Sequence, residues 1–420
     1  MSIERADLPG GIRIVTDRMD SVETVSLGVW VDAGTRNEPA EINGVSHLLE
    51  HMAFKGTERR SALDIAAEIE DVGGHLNAYT SRESTVYYAT VLKENVDLGL
   101  DIVSDILLHS TFEDEELARE RAVVLQEIGQ ANDTPDDIIF DWFQEAAFPN
   151  QPLGRPVLGT AEIVGTMPRE ALVGYMGAQY GGDRMVLAAA GNLDHDELVR
   201  LSETAFAGVA ESRAREAESG VYAGGDWREI RDLEQAHVVL GFAGVGFDDP
   251  DYYPQAILST ALGGGMSSRL FQEIREKRGL VYSIYSFSSS YSDCGLFGLY
   301  AGTGEEELGE LMKVVCHELR RVADEPLDAA EIARARMQIK AGVLMSLEST
   351  SSRAERLARH LQIYGRPVPV EEIAERIDAV TEEDVRRVAA RILESPPTLA
   401  ALGPVAGLDS YEEVKARLAV

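Results

Sequence analysis

Basic side chains are in short supply in this sequence: 39 Lys and Arg stand against 72 Asp and Glu, a formal net charge of −33. Nucleic acid and anionic membrane surfaces both demand basic patches, so neither is expected as the main partner. Cysteine is nearly absent, and the two present, Cys294 and Cys316, form no close-set metal or redox motif. They read as buried thiols in a reducing compartment. No run approaches the roughly 20 apolar residues of a membrane span. Residues 1–17 hold neither an apolar stretch nor an Arg- and Ser-rich amphipathic segment, so no secretory or transit signal is expected. What is left is a chain of 420 residues, 45% hydrophobic and 26% charged. That composition is ordinary for a globular protein, and the length calls for two or more domains.

Against this background one window is unusual. His47-Leu48-Leu49-Glu50-His51 places two of the chain's eight histidines in one five-residue window, with a carboxylate between them. On a helix the two histidines sit at i and i+4, one turn apart and about 40° apart around the axis. Two imidazoles so stacked can present nitrogen to one metal ion, at roughly 2.0–2.1 Å each for zinc. Glu50 falls about 60° to the other side of His47, close enough to hold a water molecule. H-x-x-E-H is the inverted zincin signature, although two surface histidines and a solvated Glu would give the same letters.

The coarse pattern is α+β. Residues 11–16 and 25–31 alternate as half-buried strands do, and the His47 segment is a helix opened near Asn43 or Ser46 and closed before Gly56. A second helix, 62–72, is stopped by Gly73-Gly74, and 84–92 is a strand rich in Val, Thr and Tyr. Long helices follow at 95–108 and 113–130, then a buried strand at 185–190 and a helix at 194–206.

The second half retraces this order. Glu68-Ile69 and Gly74 match Glu273-Ile274 and Gly279 at an offset of 205, and Leu98-Gly99 matches Leu308-Gly309 at 210. Glu116 and Ala118-Arg119 match Glu331 and Ala333-Arg334 at 215, and Gly191 matches Gly403 at 212. An offset that drifts in small steps is what loop insertions between two copies of one domain produce. The expected organisation is a catalytic α+β domain at 1–212, a polar linker at 213–225 and a homologous domain at 226–420. Shifted by 205, His47, Glu50 and His51 fall on Tyr252, Gln255 and Ala256, so the second copy cannot bind zinc there.

A catalytic zinc takes three protein ligands and keeps a fourth position for water. The third ligand is expected from helix 113–130, where Glu120 and Glu127 lie seven apart and about 20° apart on one face. One could ligate while the other orients a histidine. Spacing alone does not choose between them, and other acidic residues of that helix, such as Glu113, Glu115 and Glu116, read as solvated.

GVSHLLEHMAFKGT, GGHLNAYTSRESTVYYATVL and RERAVVLQE resemble the pitrilysin-type zinc peptidases, and within them the catalytic subunit of the mitochondrial processing peptidase and its bacterial homodimeric relatives. The resemblance runs over essentially the whole chain. It implies zinc, one per chain, held by His47, His51 and a Glu 76 residues beyond the second His, which is Glu127 here. It further implies Glu50 as general base and Glu120 as the residue that orients a histidine. Leu76-Asn77-Ala78-Tyr79-Thr80 resembles the family's edge strand, to which an extended peptide adds, which brings in Asn77, Ala78 and Tyr79. Phe54 resembles the residue that lines the pocket beside the cut bond; core packing is the alternative. In the zinc-free copy, FQEIREKRGLVYSIY resembles the family's substrate contacts and points to Arg275 and Tyr282, the Tyr donating to a developing oxyanion. Gly263-Gly264-Gly265 resembles a shortened glycine-rich loop and reads as a flexible lip.

The fold implied is two similar domains, each a mainly antiparallel sheet packed with helices, clamshell-like when dimerised. The function implied is a zinc endopeptidase for short, extended, basic peptides in a closed chamber, working as a homodimer in the bacterial cytoplasm or, as a mature chain, in the mitochondrial matrix. Two rivals remain: a structural subunit like the core proteins of respiratory complexes, and a catalytic subunit that needs a separate partner.

Overall fold

The computed structural model describes residues 2–214 and 216–419. Its first sheet has six strands: β1 (Ser2–Asp7), β2 (Arg13–Arg18), β3 (Thr24–Val31), β4 (His75–Thr80), β5 (Thr85–Leu92) and β6 (Met185–Gly191). They run in the order β1-β2-β6-β3-β5-β4. Only β2 and β6 pair in parallel; every other neighbour is antiparallel. The second sheet has β7 (Gly225–Ile230), β8 (Ala236–Gly244), β9 (Val281–Ser290), β10 (Gly295–Thr303) and β11 (Thr398–Gly403), in the order β7-β11-β8-β10-β9. Here the one parallel pair comes first in the order, β7 with β11. Strip off β1 and the two topologies coincide strand for strand, as an internal duplication requires.

Five helices of the first half matter below: α1 (Val45–Ala53), α2 (Ala62–Asp71), α3 (Val96–Leu108), α4 (Asp114–Asn132) and α5 (Pro135–Ala147). The expected helices and strands of this half are present, with ends moved by one or two residues. Not legible were β1, whose SIERAD sequence lacks an alternating apolar face, α5, and the helices Ala161–Thr166 and Arg169–Gln179. β4 and β9 each form one edge of their sheet, with β1 and β7 at the other.

The compact units are not the two linear halves. One consists of Met1–Gly129, Arg155–Glu218 and Met345–Val368; the other of Gln130–Gly154, Ser219–Leu344 and Pro369–Val420. A division at 213–225 describes the chain's path but not its packing, because each half lends a helix to the other unit. The helix Thr350–Tyr364 lies on β2, β3 and β6, and α5 lies on β7, β8 and β11.

In the first unit, α1, α2 and α3 bury Leu48, Leu49, Met52, Ile65, Ile69, Leu100 and Val103 against Val25, Leu27 and Val29 of β3. The opposite face of that sheet, with Val15, Trp30, Val86 and Val186, is covered by Ala354, Leu357, Ala358 and Leu361 of the lent helix. A buried ion pair, Arg353 to Asp17 at 2.8 Å, and a hydrogen bond between Thr350 and Ser26 at 2.8 Å fix its register. In the second unit Ile139, Phe143 and Ala147 of α5 pack on Val239, Leu296 and Ala400. Neither cysteine forms a disulfide; Cys316 is buried as expected, but Cys294 is only half-buried, a correction to the sequence reading.

Candidate metal centre

The helix that carries the motif is amphipathic for a simple reason. Val45, Leu48, Leu49 and Met52 fill one face and are buried in the core, which leaves His47, Glu50 and His51 on the other. The two imidazoles meet edge to face with their centroids 4.7 Å apart. From α4, Glu127 Oε2 approaches to 3.7 Å from His47 Nε2 and 3.5 Å from His51 Nε2. These three donor atoms all lie within 4.8 Å of one another, the one such grouping of three metal-type ligands among the described residues. Two donors bound at about 2.0–2.1 Å in a tetrahedral site are roughly 3.4 Å apart, so the trio has the size zinc needs.

Two further observations make the fit chemical as well as geometric. Glu127 Oε2 is shielded from solvent yet has no hydrogen-bond partner, although the rest of the side chain is partly open. A buried carboxylate oxygen left unmatched is costly, and a cation between it and the imidazoles would satisfy it. Burial, with His51 as a second cause, lowers the His47 pKa to about 4, so the ring stays neutral and keeps a lone pair. The other sequence-designated carboxylates take distinct places. Glu120 is buried; its Oε2 lies 3.0 Å from His51 Nδ1 and its Oε1 lies 2.7 Å from Lys55 Nζ. Glu50 accepts a hydrogen bond from Thr80 Oγ1 at 2.6 Å, and burial, opposed by that bond, raises its pKa.

Thr80 is the last residue of β4, so the edge strand and the motif helix meet directly. Along β4 alternate side chains change face: Ala78 joins the core beneath α1, while Tyr79 turns to the other side and donates to Glu355 of the lent helix at 3.2 Å. Asn77 is exposed and its Oδ1 accepts from the Ala78 N–H at 2.8 Å. Phe54 follows α1 and packs partly against the same core. Sequence reasoning did not single out Thr80 as a partner of Glu50, or Lys55 as a partner of Glu120. Strand alternation from Ala78 and the i+4 spacing from His51 were the available signals.

In the second unit the residues aligned with the motif have become structural. Gln255 is fully buried and clasps Val245 N–H at 3.1 Å and Ser288 Oγ at 2.6 Å. Arg275 lies on a π-helical turn, Phe271–Glu276, and Tyr282 on β9 is 74% exposed. The guanidinium is 5.8 Å from the Tyr282 ring centroid, so these two expected contacts are brought together. Gly263 is no flexible lip: a Cβ there would stand 2.3 Å from Ser286 N, so close packing demands glycine.

Residues 13–161 match the family described as Insulinase (Peptidase family M16), and residues 166–339 match its companion, the Peptidase M16 inactive domain. An uncharacterized zinc protease of Streptomyces coelicolor is 41% identical over 413 residues, which is 96% of this chain and 90% of that protein. The chain belongs to peptidase family M16. The uncharacterized zinc protease YmxG of Bacillus subtilis is 37% identical over 97% of this chain and all of its own length. Among solved structures, a protease from Helicobacter pylori superposes with a TM-score of 0.90 at 21% identity, covering 96% of this chain and 99% of that one. A chain of complex III2 from Candida albicans gives 0.87 at 22%, with full coverage of both. At these identities the structures speak for the fold alone. The M16 assignment accounts for the duplication, with a catalytic and an inactive copy of one mixed α/β domain.

Proposed function

We propose that this M16 protein is a zinc endopeptidase that hydrolyses extended peptides, with His47, His51 and Glu127 holding one zinc ion and Glu50 acting as general base. The observation that carries the reading is the solvent-shielded, unpartnered Oε2 of Glu127 aimed between the imidazoles of His47 and His51. Zinc supplies, when bound, a Lewis acid that polarises a carbonyl and acidifies water. The chain's own groups do the rest. Glu50, held by Thr80, takes the proton of the attacking water and passes it to the departing amine; a raised pKa suits a group that must both accept and return a proton. Glu120, held in turn by Lys55, keeps the His51 ring in place.

β4 offers its open edge to the substrate, so main-chain hydrogen bonds bind an extended peptide whatever its sequence. Asn77, Ala78 and Tyr79 belong to that edge, and Phe54 lines the pocket beside the cut bond. Arg275 and Tyr282 hold the substrate's carbonyl from the inactive copy, completing the site in a clamshell homodimer. The net charge of −33 favours basic peptides. The bacterial source of the relatives favours the cytoplasm of a bacterium as the working place. A scaffold subunit has no use for an uncompensated buried carboxylate oxygen, which counts against the non-catalytic alternative.

The test is a cleavage map of the purified chain on a mixed peptide library, with and without chelator, together with gel filtration. Cleavage by the chain alone, abolished by chelator and restored by zinc, is expected. No cleavage by a zinc-loaded, monodisperse chain would favour a scaffold or a partner-dependent subunit.

A further inference from the structure

The helix that carries both histidines begins in an unusual way. Its N-cap is Gly44, at φ +95°, where a Cβ would stand 2.8 Å from Leu158 O and 2.9 Å from Gly159 Cα. No Ser, Thr, Asp or Asn can therefore sit there to satisfy the first N–H groups of the helix, which have no partner within it. The acceptor comes from outside, from a residue six positions upstream. Glu38 Oε2 accepts from Gly44 N–H at 2.7 Å and from Asn43 Nδ2 at 2.9 Å, while Oε1 accepts from Ser46 N–H at 2.7 Å. Ser46 is the residue immediately before His47.

Glu38 is 3% exposed, and among the described residues its carboxylate is met by backbone and amide N–H groups, with no Lys or Arg in an ion pair with it. Burial pushes its pKa up to about 7, against the pull of the hydrogen bonds from Ser46, Asn43 and Gly44. A neutral acceptor would cap a helix at lower cost than a buried carboxylate without a counter-ion. What the carboxylate adds is two short, charge-assisted bonds to the backbone N–H groups of Gly44 and Ser46, and with them a fixed rotation and height of the helix. Its own loop is anchored as firmly, since Arg155 donates to the Glu38 carbonyl at 2.7 Å and Asn43 Nδ2 also reaches Pro156 O at 3.2 Å. Ser46 Oγ, for its part, donates to Tyr175 OH at 2.9 Å, and Tyr175 OH donates to Gly34 O at 3.0 Å.

We propose that Glu38 is the positioning residue of the motif helix, setting where His47 and His51 stand relative to Glu127. This rests on the zinc reading of those three residues and extends it to a carboxylate that touches neither metal nor substrate. If it only stabilised the fold, zinc affinity would fall no further than general destabilisation takes it.

The experiment uses the full chain in four forms: wild type, Glu38→Gln, Glu38→Asp and, as a destabilised control, Leu172→Ala in the same core. Zinc affinity is read by competition with a chromogenic chelator, stability as the Tm of the metal-free protein, and kcat and KM on a neutral peptide. Glu38→Gln keeps the shape but turns an amide donor toward a backbone N–H. It should weaken zinc binding by about 10–100-fold, the usual cost of losing a group that supports a ligand. kcat should fall while KM changes by less than about twofold, because the peptide is held by β4. Glu38→Asp, charged but too short to reach both amides, should fall between. If Glu38→Gln fails to fold, Glu38→Asp alone carries the same criterion. Leu172→Ala should lose Tm and keep its zinc affinity. Zinc affinity of the Glu38 variants within about twofold of wild type, or a loss matched by Leu172→Ala, would overturn the proposal, as would a wild type that binds no zinc. A wild type that binds zinc but cleaves nothing would sink the peptidase reading and leave the affinity comparison intact.

Discussion

Glu50 and Glu127 stand on the same small patch, yet they are asked to do different work, and substitution separates them. Glu50→Gln should keep zinc at wild-type stoichiometry, by metal analysis after dialysis, while turnover drops by about 10²–10⁴-fold. A Glu50→Gln chain as metal-free as His51→Ala would show that the base has been mistaken for a ligand. A second residue-scale expectation concerns Asp105 of α3, wholly buried among Arg60 (2.8 Å), Thr57 (2.8 Å) and Arg59 (3.1 Å). Burial alone would raise its pKa, but the hydrogen bonds from Arg60, Thr57 and Arg59 outweigh it and hold the carboxyl below the ordinary aspartate range. A folded pKa below the unfolded one means that its stabilisation is complete above about pH 5 and fades as pH falls through the folded value. Asp105→Asn should cost about 3 kcal/mol near neutral pH, measured by denaturant unfolding, and the gap to wild type should close in acid. The pairing of the two proposed histidine ligands was legible at this scale because helical spacing is written directly in the sequence. Spacing left Glu127 and Glu120 open, since both lie on one face of α4, and only the resemblance chose Glu127; their different reach, 3.5–3.7 Å to Nε2 against 3.0 Å to Nδ1, supports that choice. Glu38 was not legible either, because a capping carboxylate six residues from the cap has no periodic signature.

At the scale of elements, β4 carries the clearest test. Asn77 Oδ1 is bonded to the Ala78 N–H, a main-chain donor on an open edge strand. Proline is tolerated on an edge strand where its missing N–H served no ladder bond. Ala78→Pro should therefore raise KM several-fold while the Tm of the metal-free protein and kcat change little. An unchanged KM would argue that the peptide does not add to this edge. Strand alternation made β2 and β3 readable and composition made β5 so, while β4 was recognised by its resemblance rather than its pattern. What pattern could not supply was destination. Ala354, Leu357, Ala358 and Leu361 make a plain i, i+3, i+4, i+7 stripe, but a stripe does not say which sheet it will cover.

For the whole molecule, the excess of 33 negative charges exceeds what solubility asks of a surface, about 2–8 for a small domain. If it steers substrates, cleavage of Lys- and Arg-rich peptides should weaken as salt rises past the regime of an 8–10 Å Debye length, chiefly through KM. Neutral peptides of equal length should hardly respond, and an equal response from acidic and basic peptides would reduce the charge to solvation. Assembly has its own readout. Mixing an inactive Glu50→Gln chain with an inactive Tyr282→Phe chain should recover part of the activity if the site is completed across two chains. No recovery in demonstrably mixed dimers would speak for a site within one chain.

The exchanged helices have a history written into their positions. α5 begins at 135 and its counterpart at 350, an offset of 215 that equals the one relating Ala118-Arg119 to Ala333-Arg334, so the two are the same element of the repeat. Each crosses to cover the equivalent strands of the other copy's sheet. Before the gene doubled, a single-repeat ancestor would have left that sheet face bare unless it took the helix from a second molecule. That arrangement is the one a domain-swapped dimer has, here held within one chain. Neither half of the present chain is an independent folding unit, and cutting it between 212 and 226 would yield two fragments that fold only in each other's company.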